Sequence, residues 1–152
     1  MNGRIVGGGL VAFALLFGAA VWYFQVHAFY ERVTPVLEAR LPDGSSRPIP
    51  LEGAEGIDAT TSPLKFRACA RVAEPVEELA EALPRAADPR PLNAPYWFSC
   101  FDAGRLTADI AAGRATAYMV QTEIRDGADR LLALYPDGRL YAWHQLNEKY
   151  AD

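Results

Sequence analysis

The chain is 152 residues long, about half of them apolar, and carries a net charge of −4. That length allows one domain of ordinary size with an extra segment in front. The acidic balance, with no run of Lys or Arg, gives nucleic acid no electrostatic foothold. Arginine outnumbers lysine and alanine is abundant, a bias of GC-rich bacterial genomes rather than of a function.

The first element is a membrane anchor. From Ile5 to Val26 no residue is charged, and Gln25 is the one clearly polar side chain. As a helix this run reaches about 33 Å, enough to cross a hydrocarbon core of about 30 Å. Trp22, Tyr23, Phe24, Phe29 and Tyr30 crowd its far end, where amphipathic rings settle among lipid headgroups. Arg4 marks the near end as cytoplasmic, so the expected topology is N-terminus in and C-terminal domain in the periplasm of a bacterial inner membrane. Val26-His27-Ala28 would suit a signal-peptide cleavage, but the apolar run is longer than such segments carry. No cysteine lies near the N-terminus to receive a lipid. Gly7, Val11, Ala14, Gly18, Val21 and Gln25 recur at alternating four- and three-residue spacing and share a face. Small residues on one stripe allow close helix packing in lipid, so Gly7, Val11, Ala14, Gly18 and Gln25 are the candidate contacts with another inner-membrane protein.

Residues 31–152 read as one α+β domain. Leu37–Leu41 and Arg47–Leu51 flank a Pro-Asp-Gly turn and predict a hairpin, with Pro48 and Pro50 making its second arm an edge or an irregular strand. Residues 52–63 read as loop. Leu64–Val72 alternates, placing Leu64, Phe66, Ala68 and Ala70 on one face and Lys65, Arg67, Cys69 and Arg71 on the other. Pro75 opens a helix with Glu77 and Glu78 in its first turn, Val76, Leu79, Ala80 and Leu83 inward, and Pro84 as its stop. A stiff proline-rich loop follows. A second helix runs from Cys100 or Ala103 to Ala112, capped by Ser99 or by Asp102. Ala115–Glu123, Arg130–Tyr135 and Arg139–Leu146 complete the set, with turns at Asp126-Gly127 and Pro136-Asp137-Gly138. The expected architecture is a mostly antiparallel sheet of five or six strands with two helices on one face.

Chemistry-bearing motifs are sparse. Cys69 and Cys100 are the only cysteines, and an even pair outside the cytoplasm most simply forms a disulfide. The sharper reading is a reactive thiol at Cys100, if Ser99 caps the helix. No metal-ligand spacing joins Cys69, Cys100, His144 and His27. Ser45, Ser46, Ser62 and Ser99 lack a nucleophile elbow. No catalytic residue, metal or cofactor is therefore expected. Tyr96, Trp97, Phe98 and Phe101 form the densest aromatic cluster, either core over the disulfide or a contact surface held stiff by the prolines before it.

Four stretches carry a resemblance: Tyr23–Tyr30, Ser62–Cys69, Trp97–Ala103 and Trp143–Asn147. Together they resemble a family of small, uncharacterised, single-pass bacterial membrane proteins, a domain of unknown function whose members are sometimes mislabelled histidine kinases. The resemblance implies no activity and carries over no functional residue, and no Gly-rich nucleotide loop supports a kinase. The expected role is a non-enzymatic, membrane-anchored periplasmic accessory or assembly protein of an inner-membrane complex. The rival is a periplasmic enzyme or small-ligand binder with a pocket near Cys100 and His144.

Overall fold

The structure, a computed structural model, describes residues 2–150. It divides into two compact units, Met1–Tyr30 and Glu31–Asp152. The first is helix α1, Gly3–Tyr23, started by Asn2 and finished by a π-turn over Phe24–Ala28. Gly3–Ala28 is long and apolar enough to cross a membrane, its most apolar 18-residue stretch having a mean hydropathy of 2.2, and no residue of α1 is buried.

The second unit is α+β. Strands β1 (Glu31–Val33), β4 (Leu51–Asp58), β5 (Arg67–Val72), β8 (Arg139–Leu146), β7 (Ala128–Leu134) and β6 (Thr116–Arg125) lie side by side in that order. Every neighbouring pair is antiparallel. Strands β2 (Leu37–Arg40) and β3 (Ser46–Ile49) form a separate two-stranded hairpin around the Asp43–Gly44 turn. Helices α2 (Val76–Ala82) and α3 (Ala103–Ala111) both fall in the crossover between β5 and β6.

Alternation along the strands divides the sheet into two faces, and both are buried. On one face Ala68, Leu132, Leu134, Leu140, Ala142, Tyr118 and Val120 pack with Leu37, Ala39 and Ile49 of the hairpin and Leu79 and Leu83 of α2. Arg47 of β3 reaches Glu74 with two hydrogen bonds of 3.1 Å, fastening the hairpin beside the start of α2. On the other face lie Cys69, Tyr141, Trp143, Leu131 and Ala133, covered by α3 and the segment 84–102.

The two helices therefore sit on opposite faces, where the sequence suggested one. The reason is the path between them. After α2 the chain pairs briefly along the outer edge of β6: Met119 N donates to Pro84 O at 2.9 Å and Ala86 N to Ala117 O at 3.0 Å. This covers an edge that would otherwise invite pairing and carries the chain to the far face.

Two further expectations change. Residues 51–58 form β4 instead of loop, and β1 precedes the hairpin. β4 has a register shift between Glu52 and Glu55, with Gly53 at φ +58°, so its side chains do not alternate regularly. Gly56 pairs with Val33 so closely that a Cβ would lie 3.1 Å from the Val33 carbonyl oxygen. At α3 the cap is Asp102, whose side chain accepts from Arg105 N at 2.9 Å. Ser99 plays no such part, and Cys100 lies outside the helix.

Candidate functional site

Polar and sulfur chemistry concentrates at three places, and in each it joins a connecting segment to the sheet. The first lies on the face of Trp143. Cys69 of β5 is bonded to Cys100, across 31 residues of sequence. In the chain-entropy picture such a closure stabilises the folded state by roughly 3–4 kcal/mol. A bridged sulfur is no nucleophile, so Cys100 has neither the helix nor the free thiol that a reactive cysteine needs.

Beside the bridge, Arg67 is only 3% exposed although it shares its strand face with Lys65 and Arg71. Its guanidinium donates to Leu92 O at 2.7 Å, Asn93 O at 3.1 Å, and Leu64 O and Phe66 O at 2.6 Å each. It also lies over the Phe101 ring, 5.7 Å from the centroid. One cation thus satisfies carbonyls that an irregular proline-rich chain cannot pair with itself. Further along the same loop, Gln145 Oε1 accepts from Arg90 N at 2.8 Å and from Trp143 Nε1 at 3.1 Å, while its amide donates to Asp88 O at 2.9 Å. Tyr135 donates to Asp109 of α3 at 2.5 Å, and burial together with that carboxylate raises the phenol pKa to about 12.

The aromatic cluster divides accordingly. Phe98 and Phe101 are buried, Phe101 meeting Tyr141 edge-on at 6.3 Å, so neither presents a contact surface. Trp97 is half-buried and Tyr96 is 70% exposed, which leaves these two as the outward part.

The second place is on the opposite face. His144 Nδ1 lies 2.7 Å from Pro63 O, and a carbonyl accepts only, so this nitrogen carries the proton. Nε2 then accepts from Arg130 Nε at 3.0 Å. Phe66 stacks on the imidazole at 4.7 Å and underlies the Arg130 guanidinium at 4.4 Å. Burial, then the Arg130 charge, lower the His144 pKa to about 4. A neutral imidazole with both nitrogens engaged has no free lone pair to act as a base. His144 and Cys69 point to opposite faces of neighbouring strands, so the pocket drawn between Cys100 and His144 is not formed.

The third place is the β6–β7 turn. Glu123, at φ 50°, is the one non-glycine with positive φ among the described residues. Its amide donates to buried Asp129 at 2.8 Å, and Asn147 donates to Asp129 at 3.1 Å and to the Glu123 carboxylate. A groove of about 440 Å³ opens between this turn, residues 86–90 and Asn147–Lys149. Its wall mixes Asp88, Glu123, Asp129 and Glu148 with Arg90 and Lys149. Among the described residues no three His, Cys, Asp or Glu side chains come together as metal ligands would.

In the apolar helix Gly7, Val11, Ala14 and Gly18 are all exposed. Gln25 falls in the π-turn, whose wider i→i+5 bonding departs from the spacing that placed it on their stripe. Arg67, Arg130, Asp129 and Gln145 had not been singled out from the sequence. A faint signal existed for two of them, since Arg67 and Gln145 fall within the stretches Ser62–Cys69 and Trp143–Asn147.

Residues 36–152 match the model of a family of unknown function, DUF6446. The match covers most of the chain, and the chain belongs to that family. It begins after the apolar helix, so of the four resembling stretches Tyr23–Tyr30 lies outside it. No curated protein and no solved structure matches the chain.

Proposed function

We propose that this DUF6446 protein is a non-enzymatic, membrane-anchored accessory or assembly protein of a bacterial inner-membrane complex, with its N-terminus in the cytoplasm and its domain in the periplasm. The observation that carries the reading is a 21-residue apolar helix with no buried side chain, heading a domain closed by a disulfide. Bare apolar surface of that length calls for lipid, and a structural disulfide persists on the oxidising side of a membrane. Arg4 at the near end supports the same direction.

The non-enzymatic reading draws support from how the reactive side chains are engaged. Both sulfurs, both nitrogens of His144 and the guanidinium of Arg67 serve to hold loops in place. What remains outward is shape and surface, the means of a binding partner rather than of a catalyst.

Topology is tested by phosphatase and fluorescent-protein fusions after the last residue in a bacterial host. An active phosphatase and a dark fluorescent protein are expected, and the reverse pair would overturn the orientation. For the partner role, the full chain is purified in mild detergent beside a variant carrying an unrelated anchor. A membrane protein recovered with the first and lost with the second is the expected result. Equal recovery would reduce α1 to a tether.

A further inference from the structure

Tyr96 and Trp97 stand at a place the proposed role does not use. They follow Pro95 in a tight turn, closed by Phe98 N donating to Pro95 O at 2.9 Å. The segment is held on both sides, by the Arg67 bonds to Leu92 and Asn93 before it and by the Cys100 disulfide after it. Buried Phe98 meets Trp97 edge-on at 6.5 Å and supports it from beneath. A 70% exposed phenol next to a half-buried indole, on a loop fixed this firmly, has little rotamer or backbone freedom left to lose on contact.

Where this pair stands along the chain decides what it meets. The Trp97 ring lies over the guanidinium of Arg32, 5.3 Å from its centroid. Arg32 is the second residue of β1 and follows Tyr30, the last residue of the apolar unit, by two positions. Two residues of extended backbone span at most about 7 Å. A headgroup layer is about 5–8 Å deep on each side of the hydrocarbon. Covalent connection alone therefore keeps Arg32, and the indole stacked on it, close to the level where the anchor leaves the lipid. Indole and phenol are the two side chains that favour that layer, and a guanidinium there meets lipid phosphate.

We propose that Tyr96 and Trp97, together with Arg32, form a lipid-headgroup contact that seats the domain on the membrane from which its anchor emerges. The inference rests on α1 spanning that membrane. Its consequence is directional: a seated domain presents one fixed side to a neighbouring membrane protein, whereas a domain on a free tether presents all sides.

Tryptophan emission tests it in the full chain. Trp22→Phe removes the indole within the anchor, leaving Trp97 and Trp143, and Trp143 is fully buried in the sheet. This variant is reconstituted into phosphatidylethanolamine–phosphatidylglycerol vesicles with or without phospholipid brominated near the top of the acyl chain. Both leaflets carry the quencher, so the direction of insertion does not matter. With Trp97 as the one reachable emitter of two, emission should fall up to about twofold in brominated vesicles. A Trp97→Phe change in the same background should abolish the difference. Unchanged emission with bromolipid, together with quenching by aqueous iodide, would place the indole in water and overturn the seating, leaving the surface to a protein partner. Flotation after alkaline carbonate separates the two readings. Retention with unquenched emission overturns the seating alone, and loss from the vesicles overturns the anchor and the seating with it.

Discussion

The two faces of the central sheet are covered in different ways. On one, the cover is regular: the β2–β3 hairpin and α2 present Leu37, Ala39, Ile49, Leu79 and Leu83 at strand and helix spacing, and apolar burial does most of the holding. Polar side chains enter that face at its margin, through the Arg47–Glu74 pair and the His144–Arg130 pair. On the other, much of the cover is the irregular segment 84–102, which has few apolar side chains in register and many backbone carbonyls without a ladder. There a disulfide, a buried arginine and a buried glutamine replace periodicity. A cover with secondary structure needs only the right apolar spacing, whereas one without it must be fastened atom by atom.

That difference is open to direct attack. The largest effect is expected at Arg67→Leu, which leaves four carbonyls without their donor. At about 1 kcal/mol each the loss is roughly 4 kcal/mol. Urea unfolding should show it, and hydrogen exchange should rise across 84–102 while the hairpin and α2 keep their protection. A loss below about 1 kcal/mol with the loop still protected would mean that the loop holds itself.

Opening the disulfide should come next. Cys69→Ser with Cys100→Ser should cost roughly 3–4 kcal/mol and leave the protein indifferent to reductant, whereas the parent loses stability when reduced. Complete alkylation of both thiols in the untreated native protein would contradict the bridge outright.

The third test sharpens the comparison from the regular face. The folded His144 pKa is lowered to about 4 from an ordinary 6.5. The unfolded chain therefore binds the proton first, and stability is lost as pH falls from about 6.5 to about 4, by roughly 3 kcal/mol in all. Above about pH 6.5 this histidine contributes no slope. His144→Gln should flatten the urea midpoint across that window, and an unchanged slope would show that His144 does not set it. The smallest effect is expected at Gln145→Leu, about 2 kcal/mol, with exchange rising near Asp88 and Arg90 but not at Leu92. Equal loosening along all of 84–102 would mean that the loop moves as one piece and that its fastenings are not separate.

Legibility followed the same line. Strands β7 and β8 were readable within a residue or two because two short apolar runs flanking the Pro136-Asp137-Gly138 turn are a local signal. β4 was not, since Glu52-Gly53-Ala54-Glu55-Gly56 has neither alternation nor β-branched residues, and its strand character comes from β1 and β5 on its two sides. The alternation of β5 was real, but it hid Arg67, because charge at strand spacing reads as a solvent face until a second layer covers it.

By itself the sequence determined what depends on local chemistry or simple counting. It supplied the apolar helix, the antiparallel pairing of the last strands, the stop of α2 at Pro84, and a disulfide as the simplest fate of the only two cysteines. The tertiary structure alone decided which face each helix covers, because three residues, Pro84 to Ala86, pair along the edge of β6 and carry the chain across. It also decided what the polar side chains do. Arg67, His144 and Gln145 find their partners 3 to 81 residues away in sequence, apart from the adjoining Phe66 carbonyl and the Trp143 two positions before Gln145. No local pattern encodes a hydrogen bond across such distances, because its partner exists only once both layers have closed on the sheet.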